Sequence, residues 1–150
     1  MIRVLLDGNI YDKLAADDDT RALLASCVAA DGVLVIATPI VIDELNDSPF
    51  EGLPSWFPIV VEPESVFVLG FARLGAARLG DGEVLTKHRG SSSKIKDAII
   101  ADSAASIADL FVSEDKRCRK RLEEMNTKCR ALTYAELRVW ISSQGNGLQK

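Results

Sequence analysis

The sequence predicts an α/β fold, an α/β/α sandwich around a central parallel sheet, on three observations. Short apolar runs recur along the chain: IRVLL at 2–6, VLVIA at 33–37 and DLFVS at 109–113. Segments of helical periodicity separate them. The runs are nearly continuous in their apolar residues, as strands covered on both faces are, and do not alternate as a half-exposed sheet would.

Each element follows from local chemistry. Residues 2–6 form the first strand, and helices follow over 10–16 and 20–30, with the Asp17-Asp18-Asp19 turn supplying an N-cap for the second. Gly32 ends that helix and 33–37 form the second strand. Thr38 stands at an N-cap position and Pro39 at the first helical position, so a helix carries 40–45. Residues 47–58 (DSPFEGLPSWFP) are a Pro-rich loop, either folded onto the core by Phe50, Trp56 and Phe57 or offering them as a docking surface. Residues 59–62 (IVVE) are a short strand.

After Pro63 a helical pattern runs to about 79, and GDGE at 80–83 breaks it. Residues 86–93 have turn composition, and Ser92 or Ser93 can cap a helix over 94–108. A third buried strand occupies 109–113, a basic helix 116–125, a last strand 129–133, and a helix runs through 140. The domain spans 1–142, and 143–150 (SQGNGLQK) read as a disordered tail.

Composition narrows the function. A chain of 150 residues, 47% hydrophobic and 27% charged, suits one globular domain. It has no apolar stretch long enough to span a membrane and no basic-then-apolar leader. Cys27, Cys118 and Cys129 are odd in number and lack CxxC spacing, so they read as reduced thiols of a cytoplasmic protein. Residues 1–64 hold 12 acids against 3 bases, and with a formal charge of -4 overall the remainder is net basic. Two basic clusters lie there: Lys87, His88, Arg89, Lys94 and Lys96, then Lys116, Arg117, Arg119, Lys120 and Arg121. They are either phosphate-binding side chains or ordinary solvated faces.

Asp7 closes the first apolar run, where it is either a helix cap or a ligand. Right-handed crossovers bring the carboxyl ends of parallel strands to one edge, where ligands of open α/β sheets bind. Asp7 and the segment Ser113-Glu114-Asp115 follow strands directly. Glu44 lies one and a half turns into the helix after the second strand. Asp97 lies near the start of a helix that must run antiparallel to the strand it feeds. Asp7, Glu44, Asp97 and Asp115 can therefore converge.

Four carboxylates in one pocket raise each other's pKa unless a cation is present, and an all-oxygen set suits Mg²⁺ or Mn²⁺. Such ions activate water and stabilise a phosphoryl transition state, which suggests phosphodiester hydrolysis. Asn9 can hold a metal-bound water or tie down the loop, or be a plain helix-entry residue. Ser113 can orient Asp115, contact a phosphate, or merely end a strand. Asp102 is expected to face solvent, Glu83 to be a loop acid and Asp43 to point away from the site.

His88 is the sole histidine and sits in a polar loop, which argues against His-based hydrolases and removes zinc motifs of the HExxH type. No P-loop or GxGxxG motif is present.

The motifs LLDGNIYDKL, TPIVIDEL, KIKDAIIADSA and LFVSEDKRC, in this order and spacing, resemble the PIN domain, most nearly the short bacterial VapC-type toxins. The resemblance covers about residues 2–140. It implies an α/β/α sandwich, Mg²⁺- or Mn²⁺-dependent endoribonuclease activity and a homodimer, with an antitoxin protein as partner if the chain is a toxin. By position the four acids are Asp7, Glu44, Asp97 and Asp115, with Asn9 and Ser113 at the accompanying polar positions. Asp7, Asp97 and Asp115 would ligate the ion, and Glu44 would bind a second ion or orient the water. Lys87, Arg89, Lys94, Lys96, Lys116 and Arg117 would grip the RNA backbone. Glu114 departs from the family, which more often has a neutral residue there, so either Glu114 or Asp115 faces the metal. Two other readings compete: a catalytically silent module binding RNA or protein, and a phosphohydrolase or receiver-like domain using Asp7 as phospho-acceptor.

Overall fold

The computed structural model describes residues 1–63 and 92–147, except the side chains of 92–95. The elements are β1 (Ile2–Leu6), α1 (Gly8–Ala15), α2 (Asp18–Ala29), β2 (Val33–Ala37), α3 (Pro39–Asn46) and β3 (Ile59–Val61). They continue as α4 (Ser92–Ile107), β4 (Leu110–Val112), α5 (Lys116–Glu124), β5 (Arg130–Leu132) and α6 (Tyr134–Gly147). The helix expected up to 79, the GDGE break, Glu83 and the loop with Lys87, His88 and Arg89 lie outside the described residues. So does the side chain of Lys94.

The five strands form one parallel sheet in the order β3-β2-β1-β4-β5. From β1 the chain steps outward through β2 to β3, and the later strands step outward the other way. The strand order therefore reverses between β1 and β4, the switch point at which open α/β sheets form a crevice beyond the carboxyl ends of their strands. Right-handed crossovers in opposite directions put helices on opposite faces. Accordingly α2 packs against α6, and α4 packs against α5.

Val4, Leu5 and Leu6 are consecutive, point alternately to the two faces and are all 0% exposed. Only a sheet covered on both sides buries them all, and this is the expected α/β/α sandwich. Phe111 and Val112 repeat the pattern on β4, and Val35 and Ile36 on β2. No helix among the described residues is long and apolar enough to cross a membrane.

Two local expectations need correction, and a third, Thr38 at the N-cap of α3, holds in position without the cap bond. The left-handed residue that ends α2 is Asp31, at φ 55°, and not Gly32. Gly32 N–H donates to the Cys27 carbonyl at 3.0 Å and Asp31 N–H to the Val28 carbonyl at 3.1 Å, a Schellman closure with Asp in the place glycine usually takes. Thr38 holds the N-cap position of α3, but its hydroxyl makes no cap bond and is buried without a partner. The segment expected to be a disordered tail from 143 is helical through Gly147. There the Ser142 and Ser143 hydroxyls donate to the carbonyls of Arg138 and Trp140, and Gly145 lies close to Leu23.

The loop 47–58 folds onto the core. Phe57 is buried, and Trp56 is held edge-on by Phe50 at 5.7 Å and capped by the Arg21 guanidinium at 5.1 Å.

Candidate functional site

Asp7 ends β1 beside the point where the strand order reverses. Its backbone N–H donates to the Val112 carbonyl at 2.9 Å, so β1 and β4 stay paired up to the crevice. Its Oδ1 accepts the Gly8 N–H at 2.8 Å and caps α1. Its Oδ2 accepts the Ser113 hydroxyl at 2.5 Å and the Asn9 amide at 3.4 Å. Capping and ligation are therefore compatible: a carboxylate offers about four acceptor positions, and three are used.

The turn after β4 is tied to the same carboxylate. The Ser113 oxygen accepts the Asp115 N–H at 3.0 Å, and the Asn9 side-chain oxygen accepts the Glu114 N–H at 3.3 Å. Asp115 caps α5 by accepting the Arg117 N–H at 2.8 Å. Glu114 turns the other way and accepts the Tyr134 N–H at 2.7 Å, at the first residue of α6. The choice between the two acids is thereby decided for Asp115 as the one at the crevice.

Asp97 and Glu44 complete the group. Carboxylate oxygens of Asp97 and Asp115 and the Cys118 sulfur lie within 4.8 Å of one another. Glu44 lies over Gly8: a Cβ at that position would stand 2.7 Å from Glu44 Oε2. A bare α-carbon at the start of α1 is what lets α3 bring its carboxylate this close to Asp7.

The electrostatics agree with the geometry. Burial pushes the Asp7 carboxyl above the ordinary 3.8, its hydrogen bonds pull it back, and Asp115 pushes it further up. Asp97 is raised by burial and then by Asp115 and Asp7, against a lowering by Arg117. The Cys118 thiol is pushed up by burial and then by Asp7, Asp97, Asp115 and Glu44, so the field of all four predicted acids reaches it.

The donor set fits a hard divalent ion. Oxygens bind Mg²⁺ at about 2.1 Å, so two ligands of one octahedral ion lie about 3 Å apart when adjacent and about 4.2 Å apart when opposite, and the Asp97 and Asp115 oxygens lie within 4.8 Å of each other. The Cys118 thiol donates to the Asp97 carbonyl at 3.7 Å and is pushed up in pKa by burial and the neighbouring acids, so in the metal-free protein it is a neutral neighbour of the carboxylates.

Of the predicted basic residues, Arg117 faces Asp97 and lines a cleft of about 360 Å³ between α4 and α5. Lys116 and Lys96 are exposed and outside that lining. Asp102 is half-buried, against the expectation that it faces solvent.

Sequence reasoning missed three polar groups around the acids. Cys118 follows Asp115 by three residues and Tyr11 follows Asp7 by four, helical spacings that put each beside its acid and would have revealed both. Thr38 continues the β1–β2 register to the level of Asp7. Tyr11 is 0% exposed, its hydroxyl has no hydrogen-bond partner, and burial and then Asp7 hold its pKa high. Tyr11→Phe removes an unsatisfied buried donor, so it should leave stability unchanged or raise it by up to about 1 kcal/mol. Urea unfolding of the two proteins checks this, and a clear loss would mean that bound water or an ion partners the hydroxyl.

Compared with known proteins, the sequence matches no protein-family model and no curated protein.

Proposed function

We propose that the chain is a PIN-type nuclease that hydrolyses RNA phosphodiester bonds with Mg²⁺ or Mn²⁺. The observation that carries the proposal is the meeting of Asp7, Asp97 and Asp115, with Glu44 beside them, where the strand order reverses. A buried acid among other acids is costly unless a cation shares the site. When bound, the ion supplies activation of water and stabilisation of charge on the phosphoryl oxygens.

Asp97 and Asp115 would hold the ion directly. Asp7 would join them from the deeper side, its position fixed by Ser113, Asn9 and the start of α1. Glu44 would orient the attacking water or share a second ion. Asn9 and Ser113 keep the β1 and β4 ends in register, so they support the site as positioning residues. The same reading extends to a cytoplasmic toxin that forms a homodimer and is held in check by an antitoxin protein.

Incubation with a random-sequence RNA pool in Mn²⁺ tests the proposal without assuming a target sequence. Cleavage by the wild type should stop on chelation and fall at least about tenfold in Asp97→Asn, which corresponds to about 1.4 kcal/mol in the barrier. Equal cleavage by the two proteins would refute the assignment.

A further inference from the structure

Helix α5 carries Lys116, Arg117, Arg119, Lys120 and Arg121, five bases in one short segment. The fold sorts them. Arg119 turns inward and donates to the Ser113 carbonyl at 2.7 Å, where it braces the turn carrying Asp115. Arg117, Lys120 and Arg121 line the cleft that holds Asp97, with Glu124 at its far end. Their spacing of i, i+3 and i+4 makes one stripe along a helix face, rising about 6 Å from first to last.

We propose that this stripe is the track for the phosphate backbone of a single RNA strand, leading it to Asp97. The inference rests on the nuclease reading and adds what that reading lacks, the surface that takes the substrate and the residues that hold it. It also replaces Lys116 in that role by Lys120 and Arg121.

The physical case has three parts. A chain of net charge -4 repels RNA unless cations are concentrated locally, and this cleft places three beside the acids. A rise of about 6 Å is close to one step between neighbouring phosphates of a single strand, and the long side chains extend that reach, whereas a duplex would need a broader face. Lys120 sits 4.0 Å from Glu124 with both side chains mostly exposed, a pair weak enough to be exchanged for a phosphate.

The test is equilibrium binding of a fluorescein-labelled single-stranded RNA of mixed sequence, in EDTA, across a series of salt concentrations. Single-strand binding loses about 0.7 in the log–log salt slope for each phosphate contact removed. The variant carrying Arg117→Gln, Lys120→Gln and Arg121→Gln should therefore lose about 2 in slope. Lys120→Gln alone, a change at a side chain 72% exposed and safe for folding, should lose about 0.7. A control with the same charge change elsewhere, Lys13→Gln, Lys128→Gln and Arg130→Gln, should keep the wild-type slope.

An unchanged slope in the stripe variants, or an equal loss in the control, overturns the proposal. So does wild-type binding that ignores salt. Mn²⁺ calorimetry on the same proteins separates the two failures. Acid-dependent Mn²⁺ binding with RNA held elsewhere sinks only the track, whereas absent Mn²⁺ binding sinks the nuclease reading.

Discussion

Mn²⁺ titrated into the metal-free protein is expected to give a saturable heat and a rise in melting temperature, both lost in Asp7→Asn and Asp97→Asn. At 100 times the dissociation constant the gain is about 2.7 kcal/mol, or about 5–10 °C for a chain of this size. The size follows from mass action alone, provided the unfolded chain, whose acids are dispersed, binds no ion. Without metal, Asp7→Asn should be at least as stable as the wild type at neutral pH, because it removes a buried charge and its amide can still accept the Gly8 N–H.

The pH dependence has a definite sign. Burial and neighbouring acids raise the Asp7 and Asp97 pKa values in the fold, so the folded state binds protons more tightly than the unfolded one. Their contribution is present at acid pH and is lost as pH rises from 3.8 through the raised folded values. Asp17 and Glu136, whose pKa values are lowered by hydrogen bonds to Thr20 and Thr133, contribute with the opposite sign. The measurement is therefore the wild-type minus Asp7→Asn difference in unfolding free energy across pH. It should fall with rising pH without metal and flatten when Mn²⁺ holds the carboxylates ionised. A difference that rises with pH in the absence of metal would contradict the placement of Asp7.

Ser113→Ala is expected to cost about 2 kcal/mol at mildly alkaline pH, because hydrogen bonds to charged groups are worth about 1.5–3 kcal/mol. The hydroxyl donates to Asp7 at 2.5 Å and accepts the Asp115 N–H, so one atom holds two acids in relation. Its bond to Asp7 lowers that carboxyl's pKa, so the cost should be full where Asp7 is ionised and shrink on acidification. A double-mutant cycle with Asp7→Asn measures the coupling directly, and a term above about 1 kcal/mol is expected for residues in contact. A cycle that closes near zero would make Ser113 only the end of a strand.

The parts of the molecule that depend on neighbours in sequence were legible. β2 spans 33–37 as expected and β1 spans 2–6, because unbroken apolar runs bounded by polar residues leave little choice. That the four acids come near one another followed from strand ends, from the position of Glu44 in α3 and from the direction of α4. The strand order was not legible, since Ile2 pairs with Val33 and Val4 with Leu110 through contacts that no local pattern encodes. The same limit kept Glu114 and Asp115 unresolved until α6 showed where a second acceptor was needed. The basic helix looked uniform in sequence, and only the location of the Ser113 carbonyl separates Arg119 from its neighbours. Residues 143–147 failed for another reason: small polar residues weaken the helical signal, but their hydroxyls bond within the helix and a glycine meets Leu23.

The Asp7–Ser113 bond joins residues 106 positions apart, and Glu114 then reaches Tyr134 in the last helix. During synthesis the first acid emerges early and waits for nearly the whole chain before its partners exist. Loop closure over that distance precedes any gain from the contacts it permits. A ribosome-bound or prematurely terminated product ending before β4 therefore carries Asp7, Glu44 and Asp97 but lacks Asp115 and the Ser113 hydroxyl that ties it to Asp7. The acidic group is thus a property of a chain extended past β4, and any chemistry it performs is closed to a shorter one.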